Sequence, residues 1–234
     1  MKQSIPESIK KPLRQIRQIF FDEFAIKSYS QEGEDMILNR IFEGKNNGFY
    51  VDIGAHHPRR FSNTHFFYKR GWSGINVEPN PDVVRIFNAE RPRDKNLQCG
   101  ISATEGSLKY YYFNEPALNT FDEDVVRSRL DFTSYKLVKT EQIPVYRLEK
   151  VLSDHIPSGK KIDFLSVDVE GFDLMVLKSN DWCLFRPTCV LAEVLNASLE
   201  EAMNGELAKF MQQQGYTVFA RTYNTLIFRD SNNK

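Results

Sequence analysis

The chain has 234 residues, enough for one α/β domain with little room for a second, and its 41% hydrophobic residues, with 18 Phe, can supply the core. A formal net charge of zero gives no global attraction to nucleic acid, no run reaches the roughly 20 apolar residues of a membrane helix, and the N-terminus lacks the apolar core of a signal peptide. The three cysteines are odd in number, which argues against a disulfide framework, and they lack the spacing of a metal site. They are therefore predicted to be buried thiols of a cytoplasmic protein.

Residues 1–28 are predicted to form a helical extension in front of the domain. Basic side chains are interleaved with apolar residues at helical spacing. The apolar positions are Ile5, Ile9, Leu13, Ile16 and Phe20. Such a helix either packs on its own domain or binds a membrane surface or a partner, and it is the natural contact for a homodimer.

From Tyr29 onward strand and helix patterns alternate, so residues 29–234 are predicted to form one domain. Alternating βαβ units predict a mainly parallel sheet with helices on both faces, closed by an antiparallel hairpin. The predicted strands are 49–53, 74–78, 97–101, 107–113, 162–167 and 188–193, with the hairpin at 216–220 and 224–228. The predicted helices are 30–43, 62–70, one opened by Pro79-Asn80-Pro81, one near Gly171, and 198–214.

Two strand ends indicate an adenosine ligand. The first predicted strand ends in Asp52-Ile53-Gly54 and the second in Glu78. A glycine in the first turn allows close approach of backbone N–H groups to a ligand, and an acid after the second strand can accept hydrogen bonds from ribose hydroxyls. No full G-x-G-x-x-G follows, so a pyrophosphate cradle is not indicated. A cationic, phosphate-free ligand such as S-adenosylmethionine (AdoMet) fits better.

Further acids end the later strands. Asp168 and Glu170 are two residues apart, which puts them on the same side if the strand continues that far. Such a pair can take a proton from a hydroxyl, orient it, or hold a divalent metal, although acids at a helix N-terminus are also favoured by the helix dipole. Glu193, after the neighbouring strand, could complete a Mg²⁺-type site with Asp168.

Three other segments supply candidate contacts. His56 and His57 follow Gly54; either can act as a base near neutral pH or pack on the cofactor, and His57 is taken as the catalytic candidate and His56 as the cofactor contact. Gln31, before the first strand, can give amide hydrogen bonds to the cofactor. The polar segment 114–140 is predicted to be an irregular lid or substrate loop. Residues available there and just before it to bind an acceptor are Tyr111, Tyr112, Asn119, Arg127 and Arg129, the arginines being suited to a phosphate or uronate.

Taken together, four motifs resemble the FkbM family of AdoMet-dependent methyltransferases, from about Tyr29 to Phe228. They are Ser30-Gln31-x-Gly33-Glu34-Asp35, Gly48-Phe49-Tyr50-Val51-Asp52-Ile53-Gly54-Ala55, Gly71-Trp72-x-Gly74-Ile75 leading to Glu78-Pro79-Asn80, and Asp168-Val169-Glu170-Gly171. The resemblance implies a Rossmann-like class I methyltransferase fold with a seven-stranded sheet. It also implies O-methylation, often of sugars in polysaccharides, glycolipids or natural products.

The resemblance also implies roles for individual residues. Asp52 to Ala55 would lie against the methionine part of AdoMet, Glu78 would hold the ribose, and Ser102 would lie near the adenine. Asp168 and Glu170 would face the reacting hydroxyl of a small-molecule or glycan acceptor, with Asp168 also close to the cofactor.

Two rival functions remain open at this point. The second acid would suit the ribose of NAD equally well, as in an NAD-dependent oxidoreductase. This chain, however, lacks the third glycine of the dinucleotide-binding motif. A non-catalytic AdoMet-fold partner in a glycan-assembly complex would have no need of the Asp168/Glu170 pair. Zero net charge and the lack of a basic stripe argue against a nucleic-acid methyltransferase.

Overall fold

The computed structural model describes residues 24–131 and 134–232. The predicted N-terminal helix, with the membrane and dimer contacts assigned to it, falls mostly on residues 1–23 and lies outside the described residues. Within the described ranges, residues 24–29 form no helix or strand, and no helix has both the length and the apolar character needed to cross a membrane.

A seven-stranded sheet forms the centre of the molecule. Its strands are β1 (Phe49–Ile53), β2 (Ser73–Val77), β3 (Lys95–Leu97), β7 (Phe164–Val167), β8 (Cys189–Glu193), β9 (Tyr216–Arg221) and β10 (Thr225–Asp230). Their spatial order is β3-β2-β1-β7-β8-β10-β9, and β10 alone runs antiparallel to the other six. The predicted Rossmann-like fold, with its mainly parallel sheet and C-terminal antiparallel hairpin, is confirmed.

Helices cover both faces of this sheet. They are α1 (Glu34–Ile41), α2 (His65–Lys69), α3 (Pro81–Glu90), α5 (Leu148–His155), α6 (Asp173–Lys178), α7 (Leu199–Asn204) and α8 (Glu206–Gln213), whereas α4 (Glu123–Leu130) packs through Val126 on Tyr111 and Phe113, outside this sheet. Along β1, Val51 packs in the core shared with α5, α6 and α8, whereas Tyr50 packs in the core shared with α1 and α2. Every residue of β1 is buried, as expected for a central parallel strand with both faces covered.

Local sequence signals explain where some helices begin and end. Asn80 caps α3 by accepting a hydrogen bond from the Asp82 backbone N–H, and Pro81 occupies the first helical position, as predicted. The helix predicted over 198–214 is divided in two at Gly205, whose backbone is extended. The predicted helix 30–43 is shorter, because the chain first reaches helical geometry at Glu34.

A second, three-stranded sheet contradicts two predictions. The strand predicted at 97–101 is split into β3 in the main sheet and β4 (Gly100–Ile101), which pairs with β6 (Leu137–Tyr146). β6 also pairs antiparallel with β5 (Gly106–Phe113), the added strand that the sequence predicted. The segment 114–140 is therefore not an irregular loop: it holds a 3₁₀ turn at Pro116–Leu118, helix α4 and the start of β6.

Candidate active site

The carboxyl ends of four parallel strands meet at one cavity of about 200 Å³. This is where open α/β sheets bind ligands. Nine of the predicted site residues line the cavity together: Gln31, Asp52, Gly54, Ala55, His56, Glu78, Asp168, Glu170 and Glu193. The sequence prediction of one shared rim therefore agrees with the placement of these side chains.

Glu78 is held by backbone donors at the end of β2. Its Oε1 accepts a hydrogen bond from the Asn80 N–H at 2.8 Å, and its Oε2 accepts one from the His56 N–H at 3.0 Å. The residue is buried, and burial raises the pKa of its carboxyl to about 7 against the opposing effect of these two donors. Each oxygen keeps a further lone pair for a ligand hydroxyl.

Gly54 is required for a reason that differs from the predicted one. Its backbone has φ +79°, and a Cβ at this position would lie 1.8 Å from the carbonyl oxygen of Asp168. The N–H groups of Gly54 and Ala55 donate to the Val77 carbonyl oxygen at 3.0 and 3.2 Å. These N–H groups join β1 to β2 instead of pointing at a ligand. The role of the glycine is to let the turn after β1 contact the turn after β7, where a side chain would clash.

A buried polar network holds the Asp52 carboxylate in place. Its Oδ2 accepts a hydrogen bond from Thr64 Oγ1 at 2.9 Å, and Thr64 Oγ1 in turn accepts one from Arg91 at 2.9 Å. Arg91 is fully buried and pairs with Asp94 at 2.8 Å. Burial raises the pKa of Asp52, while the Arg91 charge and the Thr64 hydrogen bond lower it.

Three bulky residues around the cavity adopt left-handed backbone geometry. His56, Phe61 and Glu170 have φ of 52°, 55° and 54°, and all three line the cavity. This region is uncommon for residues with a Cβ, and such strain concentrates at functional sites. The His56 and Phe61 rings stack with centroids 6.1 Å apart, and His56 Nε2 is buried with no hydrogen-bond partner among the described residues.

A group of acids crowds the ends of β7 and β8. Asp168 is open to the cavity yet lies deep between the strand ends, so burial and then repulsion from Glu193 and Asp173 raise its pKa well above the usual range. Burial and the neighbouring Glu170 and Asp173 likewise raise the pKa of Glu193 to about 8. Carboxyl groups with pKa values raised in this way are candidates for proton transfer.

Glu170 is tied to the segment that covers the cavity. Arg129 of α4 forms an ion pair with the Glu170 carboxylate and also donates to the Leu118 carbonyl oxygen. Burial raises the pKa of Glu170, and Arg129 lowers it. Thr120 Oγ1 donates to the Glu170 carbonyl oxygen at 3.3 Å. Residues 115–130, which we call the covering segment, are thus fastened to the turn that follows β7.

Two residues predicted to act in catalysis or to contact the cofactor, His57 and Ser102, do not line this cavity. His57 Nδ1 accepts backbone hydrogen bonds from Arg59 and Arg60 at 3.0 and 3.1 Å, which places its ring in a local turn. Ser102 follows β4 and is buried, with its Oγ 3.9 Å from Met175 Sδ.

The metal predicted at Asp168 and Glu193 is not supported by the donor set. No group of three or more His, Cys, Asp and Glu side chains within residues 24–131 and 134–232 is arranged to hold a metal ion. The acids around Asp168 instead have their charge moderated by raised pKa values and by Arg129.

Sequence reasoning missed several residues around the cavity. Asn63 Nδ2 donates to Ser166 Oγ at 3.0 Å, and both side chains face the cavity. Tyr110 also lines it, whereas Tyr111 bonds to Glu123 outside. The period-2 alternation of β5 separates Tyr110 from Tyr111, but the pattern alone does not say which face meets the site.

Comparisons with known proteins agree on one class. A family model described as the methyltransferase FkbM domain matches residues 52–218. Methyltransferase sdnD of Sordaria araneosa is 37% identical over 175 residues, which is 62% of this chain and 66% of that relative, just under two thirds of its length.

Solved structures give more distant likenesses. A TehB-like SAM-dependent methyltransferase from Corynebacterium glutamicum is 9% identical with a TM-score of 0.41, over 97% of this chain and 100% of that one. An O-methyltransferase from Bacillus cereus in complex with SAH is 10% identical with a TM-score of 0.40, over 97% and 92%.

Proposed function

The chain belongs to the FkbM methyltransferase domain family, and from this we propose that it is an AdoMet-dependent O-methyltransferase that acts on a hydroxyl of a sugar or glycan. The observation that carries the proposal is the shared cavity of Glu78 and Asp168. An acid suited to ribose hydroxyls and an acid suited to proton transfer open onto the same space.

The residues around the cavity suit AdoMet as methyl donor. Glu78 can accept hydrogen bonds from the ribose hydroxyls. The turn from Asp52 to Ala55, together with Gln31, which also lines the cavity, would lie against the methionine part. In the described residues the lining includes five carboxyl groups and no lysine or arginine, which favours a ligand with positive charge.

The same geometry disfavours the NAD-dependent alternative. A pyrophosphate needs free backbone N–H groups or cations at the first turn. Here the N–H groups of Gly54 and Ala55 already donate to Val77, and the His56 N–H donates to Glu78. A dinucleotide would have to bring its two phosphates next to Glu78 and Asp52 without such donors.

When bound, AdoMet supplies a methyl group already activated on a sulfonium. The chain must then align the acceptor oxygen with that group and remove its proton. Alignment of two bound reactants lowers the barrier by several kcal/mol. Asp168 and Glu193 are the candidates for taking the hydroxyl proton, since both line the cavity and the pKa of each is raised by burial and by neighbouring acids, which makes the ionised carboxylate a stronger base. Glu170, already paired with Arg129, is better placed to orient the acceptor.

Residues on the other side of the cavity suit a sugar. Tyr110 and Phe121 lie with ring centroids 4.6 Å apart, and Asn119 and Thr120 line the cavity beside them. Apolar ring faces together with a few polar groups are typical of sites that bind a partly polar small molecule. This combination supports a sugar hydroxyl as acceptor, as the family resemblance implies.

The proposal is tested in two steps. The full chain is first titrated with AdoMet and with NAD by calorimetry, where we expect binding of AdoMet alone. Methyl transfer to a panel of sugars and glycosides is then measured, with Asp168→Asn as the variant. We expect Asp168→Asn to bind AdoMet and to lose about 10²-fold or more in turnover. Tighter binding of NAD would refute the proposal, and full turnover by Asp168→Asn would remove Asp168 from proton transfer.

A further inference from the structure

We propose that the acceptor is uncharged or cationic, and that Glu193 selects it by accepting a hydrogen bond from its hydroxyl or ammonium group and repelling anionic acceptors. The inference rests on the proposed function, because it assigns the acceptor to the cavity described above. It makes Glu193 a specificity-determining residue in addition to the acids that hold the donor.

The lining of the cavity is the first support. Its ionisable side chains, within the part of the chain that the structure describes, are His56 and five carboxyl groups: Asp52, Glu78, Asp168, Glu170 and Glu193. Where these carboxyls are ionised, an anionic acceptor would meet a repulsion that no lysine or arginine of the lining offsets, and like charges brought together cost affinity. A donor of positive charge would leave part of the negative field in place for the acceptor.

The two arginines of the covering segment do not change this balance. Arg127 lies on the surface, where it pairs with Glu123 and Asp124. The Arg129 guanidinium forms an ion pair with the Glu170 carboxylate, and one of its N–H groups donates to the Leu118 carbonyl oxygen. The expectation that these arginines hold a phosphate or uronate is therefore not supported by their contacts.

Among the described acids that line the cavity, Glu193 is the one with a buried carboxylate oxygen that no protein group hydrogen-bonds. The Glu193 N–H donates to Asp173 Oδ1 at 3.0 Å, which fixes the end of β8. Its Oε2 is buried and has no hydrogen-bond partner among the described residues. By contrast, Glu78 and Asp52 accept hydrogen bonds from the protein, and Glu170 pairs with Arg129. A buried carboxyl oxygen without a donor is stabilised by a ligand that supplies one.

The experiment uses three glucosides that differ only at carbon 6. They are methyl α-D-glucopyranoside, its 6-amino-6-deoxy analogue and its uronate, titrated into the full chain saturated with S-adenosylhomocysteine (AdoHcy) and followed by NMR. A pH of about 8.5 keeps both the Glu193 carboxyl largely ionised and the amine substantially charged. The titratable and charged groups that face Glu193 are Glu32, Asp168, Glu170, Asp173 and Arg129.

We expect the neutral and ammonium compounds to bind about 10-fold or more tightly than the uronate. Glu193→Gln should reduce this ratio to about 3-fold or less while AdoHcy affinity stays unchanged. Glu43→Gln, an exposed acid paired with Arg40, is the matched control and should keep the full ratio.

Three results would overturn the inference: equal or better binding of the uronate, an unchanged ratio in Glu193→Gln, or no binding of any of the three compounds by protein that binds AdoHcy. Failure to bind AdoHcy in the first place would instead contradict the proposed function, which separates the two claims.

Discussion

At residue 54 the chain accepts only a hydrogen as side chain, because the carbonyl of Asp168 lies where a Cβ would be. Gly54→Ala should therefore push the turn after β7 away and weaken AdoHcy binding as well as lower the free energy of unfolding. Gly44 has nearly the same φ, +78°, but open space around it. Gly44→Ala thus reports the backbone strain alone, about 1–3 kcal/mol.

Urea denaturation and AdoHcy calorimetry on both variants separate contact from strain. We expect Gly54→Ala to lose more stability than Gly44→Ala and to be the one that loses AdoHcy affinity. Equal losses in the two variants would show that the Gly54–Asp168 contact has no importance of its own.

The protonation state of the Glu78 carboxyl should make donor binding depend on pH. Its pKa is raised to about 7 by burial, and the ionised form is the better acceptor for ribose hydroxyls. AdoHcy affinity should therefore rise between about pH 6 and pH 8 and then level off. Glu78→Gln should bind about 10-fold or more weakly with a flat profile, measured by calorimetry at each pH. A wild-type affinity that falls over this range would contradict the ribose assignment.

At the scale of elements, we expect the covering segment to move when a ligand of the size of AdoMet binds. The cavity beneath it measures about 200 Å³, below the roughly 300–1,000 Å³ of typical ligand sites. Arg129 fastens this segment to Glu170, whereas Arg127 on the same helix points to the surface.

Arg129→Ala should raise amide hydrogen exchange in residues 115–121 and speed AdoHcy association, and Arg127→Ala should do neither. Exchange measured by mass spectrometry and association followed by stopped flow check both expectations. Identical exchange in the two variants would mean that Arg129 does not fasten the segment.

The elements that the sequence predicted best are those whose own residues are mostly apolar and therefore indicate burial. β1 and β7 are mostly apolar and buried along their whole length, with Asp52 near the end of β1 and Asp168 directly after β7, so both their type and their meeting point could be predicted. β6 could not, because Leu137 and Val138 are exposed and its pairing with β5 joins residues far apart in the chain. Asp122, which caps α4, was a usable signal within the segment predicted as a loop.

The same distinction applies to the candidate site. Acids at strand ends were predictable because parallel strands bring their carboxyl ends together. Which of the neighbouring histidines His56 and His57 lines the cavity was not predictable. It depends on the left-handed backbone at His56, for which the sequence has no marker. Asp173 escaped notice because the start of α6, rather than a strand, places it beside Asp168.

For the whole molecule, the displaced carboxyl pKa values predict a stability that falls as pH rises. The pKa values of Glu78 and Asp173 are raised to about 7 and that of Glu193 to about 8, so the folded chain keeps protons that the unfolded chain loses near its ordinary carboxyl pKa. The free energy of unfolding of the ligand-free protein should decline between about pH 5 and pH 8, by up to 1.4 kcal/mol per unit of pKa shift, and flatten above.

Urea unfolding at several pH values, followed by fluorescence, measures this slope directly. Added AdoMet should flatten it, since a cationic ligand favours the ionised carboxyls and lowers their pKa values. A free energy of unfolding that increases from pH 5 to pH 8 would be inconsistent with the buried, protonated state of these acids.

The acid lining has a consequence for turnover. The chain as a whole carries no net charge, yet a ligand in the cavity meets five carboxyls. On the proposed mechanism, methyl transfer removes the positive charge of the donor, and one of those carboxylates takes up the proton of the acceptor hydroxyl. We therefore expect the cavity to bind the cationic donor more strongly before the reaction than its uncharged product afterwards, so that the chemistry itself promotes product release.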